Sequence, residues 1–282
     1  MILIQFLNAL QFSMTLFLLA VGLTIIFGLM KIVNLAHGSL YMIGAYIGLS
    51  IFNYTESFWL ALIFSPIFTA LIGAFLYTFL FRHIQNADPM KQVLLTFGLI
   101  YIGLDSVRLL WGTMSHSIST PSILSNPVLL IDEPYPAYRL FVITVGLFVL
   151  FSLYVILEKT KIGAKVRASV DDPETAQLLQ INTDKILFYT FALGCGLAGL
   201  AGITVAPILG VEPGMDMEVL VLTLIVVVVG GPGSLKGALI GSLLIGFVDS
   251  FGKVYIPQLA QIIIYAVMAL TLLFKPDGLY KR

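Results

Sequence analysis

One long polar stretch, EKTKIGAKVRASVDDPETAQLLQINTDK from Glu158 to Lys185, interrupts a chain that is otherwise a succession of apolar runs. The chain is 59% hydrophobic and only 11% charged, with a mean hydropathy of +1.02. A polar stretch of this length cannot lie in lipid, where its charges and backbone groups would find no partners. The two facts together predict an all-α, polytopic helical membrane protein with a folded cytoplasmic loop at 158–185. Within that loop Asp171 and Asp172 precede Pro173. This is a helix-capping residue type followed by the residue best suited to a first turn, and Glu174 suits the positive end of the helix dipole. Ala176, Leu178, Leu179 and Ile181 then place apolar side chains on a short helix. An ordinary basic loop that merely sets topology is the bland reading, and a docking helix for a cytoplasmic partner is the sharper one.

A spanning helix needs about 20 apolar residues. Segments of that kind fall at 5–29, 38–54, 58–81, 91–111, 138–157, 186–207, 217–230, 236–251 and 258–274, of which the second, seventh and eighth are short and interrupted by glycine. With the amino terminus outside, the inner segments hold Lys31, Arg82, Lys91, Lys159, Lys161, Lys165, Arg167, Lys185, Lys236, Lys275, Lys281 and Arg282. Only Arg108, Arg139 and Lys253 then lie outside. This bias fixes the expected orientation, with the carboxyl terminus inside. It also favours nine spans over eight, since an even count pushes one basic cluster outside. The amino-terminal run lacks a basic n-region and a small-residue cleavage site, so it reads as a first span. The longest outer loop, 112–137, carries Pro121, Pro127, Pro134, Pro136, Asp132 and Glu133. A second outer loop brings Glu212, Asp216 and Glu218. Both read as solvated faces or as docking points for an external partner.

HGSLYMIGAYIG at 37–48 and PGSLKGALIGSLLIG at 232–246 share Gly-Ser-Leu followed by glycines. Gly233, Gly237 and Gly241 recur every four residues, as do Gly44 and Gly48, a spacing that lets helix backbones approach closely in lipid. Short, glycine-broken spans in two halves of a chain also point to a transport path. Lys31, Asn34 and His37 either form a plain inner loop or mark a break in a span that lines a cavity. Asp105 and Arg108, three apart on one span, read as a mutually neutralising pair. Cys195 sits in a small-residue run and reads as packing; one cysteine excludes a disulfide framework.

The stretch VVGGPGSLKG is no phosphate-binding loop, because Lys236 follows Leu235 and precedes Gly237 where Gly-Lys-Ser/Thr is required. His37, His83 and His116 lack ligand spacing, and no nucleophile, base or metal set is legible. The balance of 15 basic and 15 acidic residues says nothing of nucleic acid. The expected protein is not an enzyme. If ATP drives it, another subunit supplies the ATPase.

Several stretches resemble one family. GLMKIVNLAHGSLYMIGAY, KVRASVDDPETAQLLQINTDK, VVVVGGPGSLKGALIGSLLIGFVDSF and LLFKPDGLY resemble, in order, the signature stretches of LivH-type permeases of branched-chain amino acid ABC importers. The resemblance implies a single permease domain over 1–282 in the inner membrane of a bacterium or archaeon. It implies a second, LivM-like permease, two cytoplasmic ATPases that bind the ATP, and a periplasmic substrate-binding protein. It places Asp172, Pro173, Glu174, Ala176, Leu178, Leu179 and Ile181 on or beside the coupling helix. Asn34, His37, Gly38, Tyr41, Gly44, Gly48, Gly233, Gly237 and Gly241 are then candidates for helix packing or for the translocation path. Gln180 departs from the family, which has Gly before Ile-Asn, and this bears on the turn that ends the helix. Related permeases serve urea or short amides, which is the rival substrate class. A stand-alone ion-coupled transporter would carry several acidic residues near the bilayer midplane, and only Asp105 lies clearly within an expected span, with Asp249 near an end.

Overall fold

The computed structural model describes residues 2–31, 34–85, 87–130 and 133–280; for Asp171 and Pro173 the description is of the backbone. Asp132, Lys281 and Arg282, which enter the loop and charge readings above, lie outside the described residues.

Each of the nine expected segments coincides with a helix. These are α1 (Ile2–Met30), α2 (His37–Thr55), α3 (Phe58–Leu76), α4 (Pro89–Trp111) and α5 (Ala137–Tyr154). After them come α6 (Lys161–Asp171) and α7 (Pro173–Leu178) in the polar stretch, then α8 (Thr183–Leu209), α9 (Met215–Gly230), α10 (Leu235–Tyr255) and α11 (Ala260–Phe274). Both α3 and α5 run on through a wider π-helical turn, at Tyr77–Phe81 and Val155–Lys159. Among the described residues seven helices are long and apolar enough to cross a membrane: α1, α8, α10, α4, α3 and α5 with their extensions, and α11 with its preceding turn. The other two, α2 and α9, are among the three segments whose glycine interruptions mark them as short.

Side-chain caps start most of the elements. Ser57 accepts from the Leu60 amide, Asp88 from Met90, Asn182 from Lys185 and Ser234 from Gly237. The loop between α4 and α5 holds a two-stranded antiparallel hairpin, β1 (Pro127–Leu130) on β2 (Glu133–Pro136), with Val128 opposite Tyr135. Its three prolines argue against a strand in a larger sheet, but each strand here has one free edge.

The contacts sort the turns to two ends of the bundle. At one end Gln5 donates to the Ser250 carbonyl, Arg139 to Asn8, and His116 pairs through its backbone with Val211. At the other end Gly28 meets Gly233, Arg82 pairs with Asp184, and Leu279 and Tyr280 donate to the carbonyls of Val229 and Gly230. The polar stretch belongs to this second end. Helices α1 and α8 form the centre: their most apolar windows are 78% and 61% buried, against 11% for α11. By contrast, α3 turns Ile63, Ile67, Leu71 and Phe75 outward at helical spacing, an apolar stripe suited to lipid.

Glycine sets the central packing. A Cβ on Gly22 of α1 would sit 2.7 Å from the Gly194 carbonyl oxygen of α8 and 3.0 Å from the His37 ring. Gly44 of α2 lies directly on Gly199 of α8, and Gly73 of α3 on Cys195, which confirms the packing role of that cysteine. We expect Gly22→Val to cost about 1–3 kcal/mol by overpacking, lowering the thermal midpoint of the purified protein in detergent. Gly98→Ala is the control: nothing lies within 4 Å of a Cβ there, and its midpoint should hold or rise.

Candidate functional site

Two places bring sequence-expected residues together: an interior junction where α2 meets α9, and the surface helices α6 and α7.

Helix α2 does not start at the end of the bundle. Gly44 faces Gly199 and Gly48 faces Ile203, so α2 runs beside the second half of α8, and its first residue, His37, abuts Gly22 well inside α1. The connection from α1 therefore turns back into the protein before α2 begins. Asn34 and His37 are buried while Lys31 is exposed, so the stretch is more than a plain inner loop. The His37 Nε2–H donates to the Leu19 carbonyl, 3.2 Å away, and its Nδ1 has no protein partner. Neither polar atom of the Asn34 side chain has one.

Helix α9 also starts in the interior. The Gly38 position, Cβ added, would lie 2.6 Å from the Asp216 carbonyl oxygen, and Gly214 N–H points at Met42 Sδ. Ser39 Oγ, in the first turn of α2, donates to Asp216 Oδ2, in the first turn of α9, at 2.9 Å. The two helices then leave towards opposite ends of the bundle, α2 to Thr55 near the hairpin end and α9 to Gly230, which packs on Gly237. Asp216 is 1% exposed. The reading of Asp216 as part of a solvated outer loop is thus corrected, although Glu212 and Glu218 are exposed as expected. The physical reason is that the loop after α8 dips inward, so the two positive helix ends, and not water, receive the carboxylate. Neither α2 nor α9 has a side-chain cap of its own. Their leading amides are met by backbone instead, His37 N–H by the Asn34 carbonyl and Met215 N–H by the Glu212 carbonyl, and the Asp216–Ser39 bond joins the two first turns.

The other candidate glycines and Tyr41 lie in packed contacts. Tyr41 is buried, and its carbonyl lies against Gly202. Gly233, at φ +81°, comes within 3.0 Å of Gly28 Cα when given a Cβ, and Gly241 would meet the Val226 carbonyl at 2.6 Å. The Asp105–Arg108 pair is made at 3.6 Å, on an exposed face. Among the described residues no three His, Cys, Asp or Glu side chains converge as a metal site would require.

At the opposite end from the hairpin, Asp172 ends α6 and starts α7. Its carboxylate accepts from the Thr175 amide at 3.0 Å and from the Thr175 hydroxyl, and Pro173 occupies the first turn, as the sequence indicates. Helix α7 shows Glu174, Leu178 (84%) and Leu179 (69%) to solvent. Ala176, grouped with them above, is buried instead and faces the protein, and Ile181 is half-buried. The helix ends in a Schellman turn, with Ile181 N–H donating to the Ala176 carbonyl and Gln180 N–H to Gln177. Gln180 takes φ +60°, the conformation for which glycine is the natural residue. Helix α6 escaped the sequence reading. Its signal is weak: Gly163, Val166 and Ser169, three apart, form the buried face.

With this geometry in view, the comparisons with known proteins agree. The family model described as "Branched-chain amino acid transport system / permease component" matches residues 5–272. The chain is 27% identical to the high-affinity branched-chain amino acid transport system permease protein BraD of Pseudomonas aeruginosa, over 99% of this chain and 95% of that one. It is 26% identical to the corresponding LivH protein of Escherichia coli, over 99% and 95%. A probable branched-chain amino acid transport permease protein of Methanocaldococcus jannaschii is 27% identical over 96% and 90%.

Three outcomes follow from these geometries. Asp216→Ala leaves Ser39 without its acceptor and should cost about 1–3 kcal/mol, seen as a lower thermal midpoint, with Asp216→Asn losing less. Gln180→Gly should stabilise the end of α7 by about 1 kcal/mol, seen as slower hydrogen exchange of the Ile181 amide. The Thr175 hydroxyl and amide hold the Asp172 carboxyl below its ordinary value. The stability of the cap is therefore complete above about pH 4 and is lost as pH falls through the lower folded value. The protection factor of the Thr175 amide, its rate taken against the intrinsic rate at the same pH, should fall only in that acid range, and Asp172→Ala should remove the transition.

Proposed function

The chain belongs to the family of permease components of branched-chain amino acid transport systems, and from that premise we propose that it forms half of the membrane path of an importer for leucine, isoleucine and valine in the inner membrane. Its companions are a second, LivM-like permease, two cytoplasmic ATPases that bind and hydrolyse the ATP, and a periplasmic substrate-binding protein. The observation that carries the reading is α7. A six-residue helix that is capped at its start, closed by a Schellman turn and still exposes two leucines is a shaped apolar contact with nothing on it. An ATPase groove is the partner such a helix suits. The substrate class rests on the names of the relatives, whose lengths this chain nearly covers.

In this reading α6 and α7 carry the motion of the ATPases to the bundle. Contacts of α6 with the tail of α5, with α1 and with α8 make it the mechanical link. The glycine-packed centre lets α1, α2 and α8 shift against one another with little side-chain rearrangement, and the loaded binding protein docks at the hairpin end. The path for an aliphatic side chain needs no charged lining, and the binding protein supplies most of the selectivity.

The test is uptake of labelled leucine, isoleucine, valine and urea by cells lacking their own systems, with the neighbouring subunits co-expressed. We expect uptake of the three branched-chain amino acids, lost with ATPase-dead partners. Uptake of urea alone would keep the architecture and replace the substrate. Uptake without any ATPase would overturn the reading. Leu179→Asp and Glu174→Pro should each lower uptake at least tenfold and weaken co-purification of the ATPases while the chain still reaches the membrane; unchanged assembly would remove α7 from the coupling role.

A further inference from the structure

At the end of the bundle that carries α6 and α7, a cleft of about 230 Å³ opens between the last turns of α1, the tail of α5, α6 and the start of α10. Its walls are aliphatic, with Ile25, Leu157 and Val166 among them. Three charged side chains line it. Arg167 reaches the Leu157 carbonyl and lies 3.8 Å from Glu158, and both are partly open to solvent. Lys236 is exposed, and no carboxylate pairs with it among the described residues. The cleft also receives the amino-terminal end of α10, a helix of 21 residues whose dipole favours an anion there.

A second observation points independently to an occupant. Thr24 lines the same cleft from α1; it is 1% exposed, and its hydroxyl has no hydrogen-bond partner. Buried hydroxyls are nearly always satisfied, so one left open against a cavity marks a place where a polar group arrives. A plain anion site does not account for the set, because Glu158 stands beside Arg167. A zwitterion does.

We propose that this cleft is a binding site for a free branched-chain amino acid on the ATPase side of the membrane. The carboxylate sits at the start of α10 with Lys236, the ammonium group at Glu158, and the branched side chain on the aliphatic wall. The proposal rests on the import reading for the identity of the side chain. Its consequence follows from position. The cleft is bounded by α6 on one side and by α1 and α10 on the other, so a bound amino acid ties the coupling segment to the bundle. Accumulated product then slows its own import.

The experiment uses the complete transporter with its partner subunits. In nanodiscs without the binding protein, equilibrium binding of tritiated leucine should be saturable. Lys236→Met and Glu158→Gln should each weaken it at least tenfold, and Thr24→Val by a smaller factor. In proteoliposomes, leucine preloaded on the ATP side should slow uptake several-fold in the wild type and not in Lys236→Met. No saturable binding, binding indifferent to both charge variants, or displacement by inorganic phosphate but not by valine would overturn the proposal. Uptake into vesicles without preloaded leucine reads the import function by itself. A transporter that imports leucine without binding it in this cleft sinks the proposal alone, and one that imports no branched-chain amino acid sinks the underlying reading.

Discussion

Close approach of helix backbones at glycine is the constraint on which the structure depends. Inside a membrane the lipid tails are as apolar as leucine, so helices gain little by hiding apolar side chains from their surroundings, and association rests on dispersion contacts at short range. Such contacts are short only where no Cβ intervenes. Gly22 on Gly194, Gly44 on Gly199, Gly28 on Gly233 and Gly230 on Gly237 tie α1 to α8, α2 to α8, α1 to the start of α10, and α9 to α10. Without the first two contacts α2 could not lie so deep against α8, and His37 would have no seat between Gly22 and the Leu19 carbonyl.

A helix that starts in the interior must have its first N–H groups met by something other than water. For most helices of this chain a Ser, Thr, Asn or Asp just ahead of the first turn does so, and these starts lie at the ends of the bundle. Helix α2 is preceded by Ala36 and α9 by Gly214, and neither residue has a side chain that can cap. Their leading amides turn to the chain just before them, His37 N–H to the Asn34 carbonyl at 3.2 Å and Met215 N–H to the Glu212 carbonyl at 3.3 Å, and a side-chain bond then ties the two first turns together. Asp216 belongs to one first turn and reaches Ser39 in the other, so one carboxylate lies within the positive field of both. A buried charge without a cation is ordinarily expensive. Here the Ser39 hydroxyl and the helix dipoles meet one oxygen, and the other, Oδ1, has no hydrogen-bond partner.

The same features explain how much was legible in the sequence. Helices reveal themselves through length and apolarity, and their starts through caps, which is why the nine segments and the Asp172–Pro173 start are where the residues place them. The spacing of glycines 237 and 241 implies one face and they share it against α9, whereas Gly233 lies ahead of α10 at φ +81° and meets α1 instead. Asp216 was not readable. Its neighbours Glu212 and Glu218 are exposed, and nothing local distinguishes an acid that turns inward from two that do not. The hairpin was hidden by its prolines, and α6 by a buried face of only Gly163, Val166 and Ser169. What fails to show in sequence is what depends on a distant partner: Ser39 and Asp216 are 177 residues apart. Gln180 is the reverse case, since its departure from the family's glycine falls on the residue with φ +60°.

The buried Asp216 also bears on the rival in which the chain works alone, driven by an ion. That reading calls for several acids in the membrane interior, free to take and release a cation or a proton. The interior acid found here is held by Ser39 at the meeting of two helix ends, whose field disfavours an arriving cation. Asp249 is paired with Lys253 at 2.7 Å, and Asp105 with Arg108 on an exposed face. None of the three is a free acid in a cavity. Under the proposed import reading the energy enters at α7 instead, which exposes Leu178 and Leu179. A helix of six residues has little stability of its own in water, so the Asp172 cap at its start and the Schellman turn at its end are what hold α7 in shape.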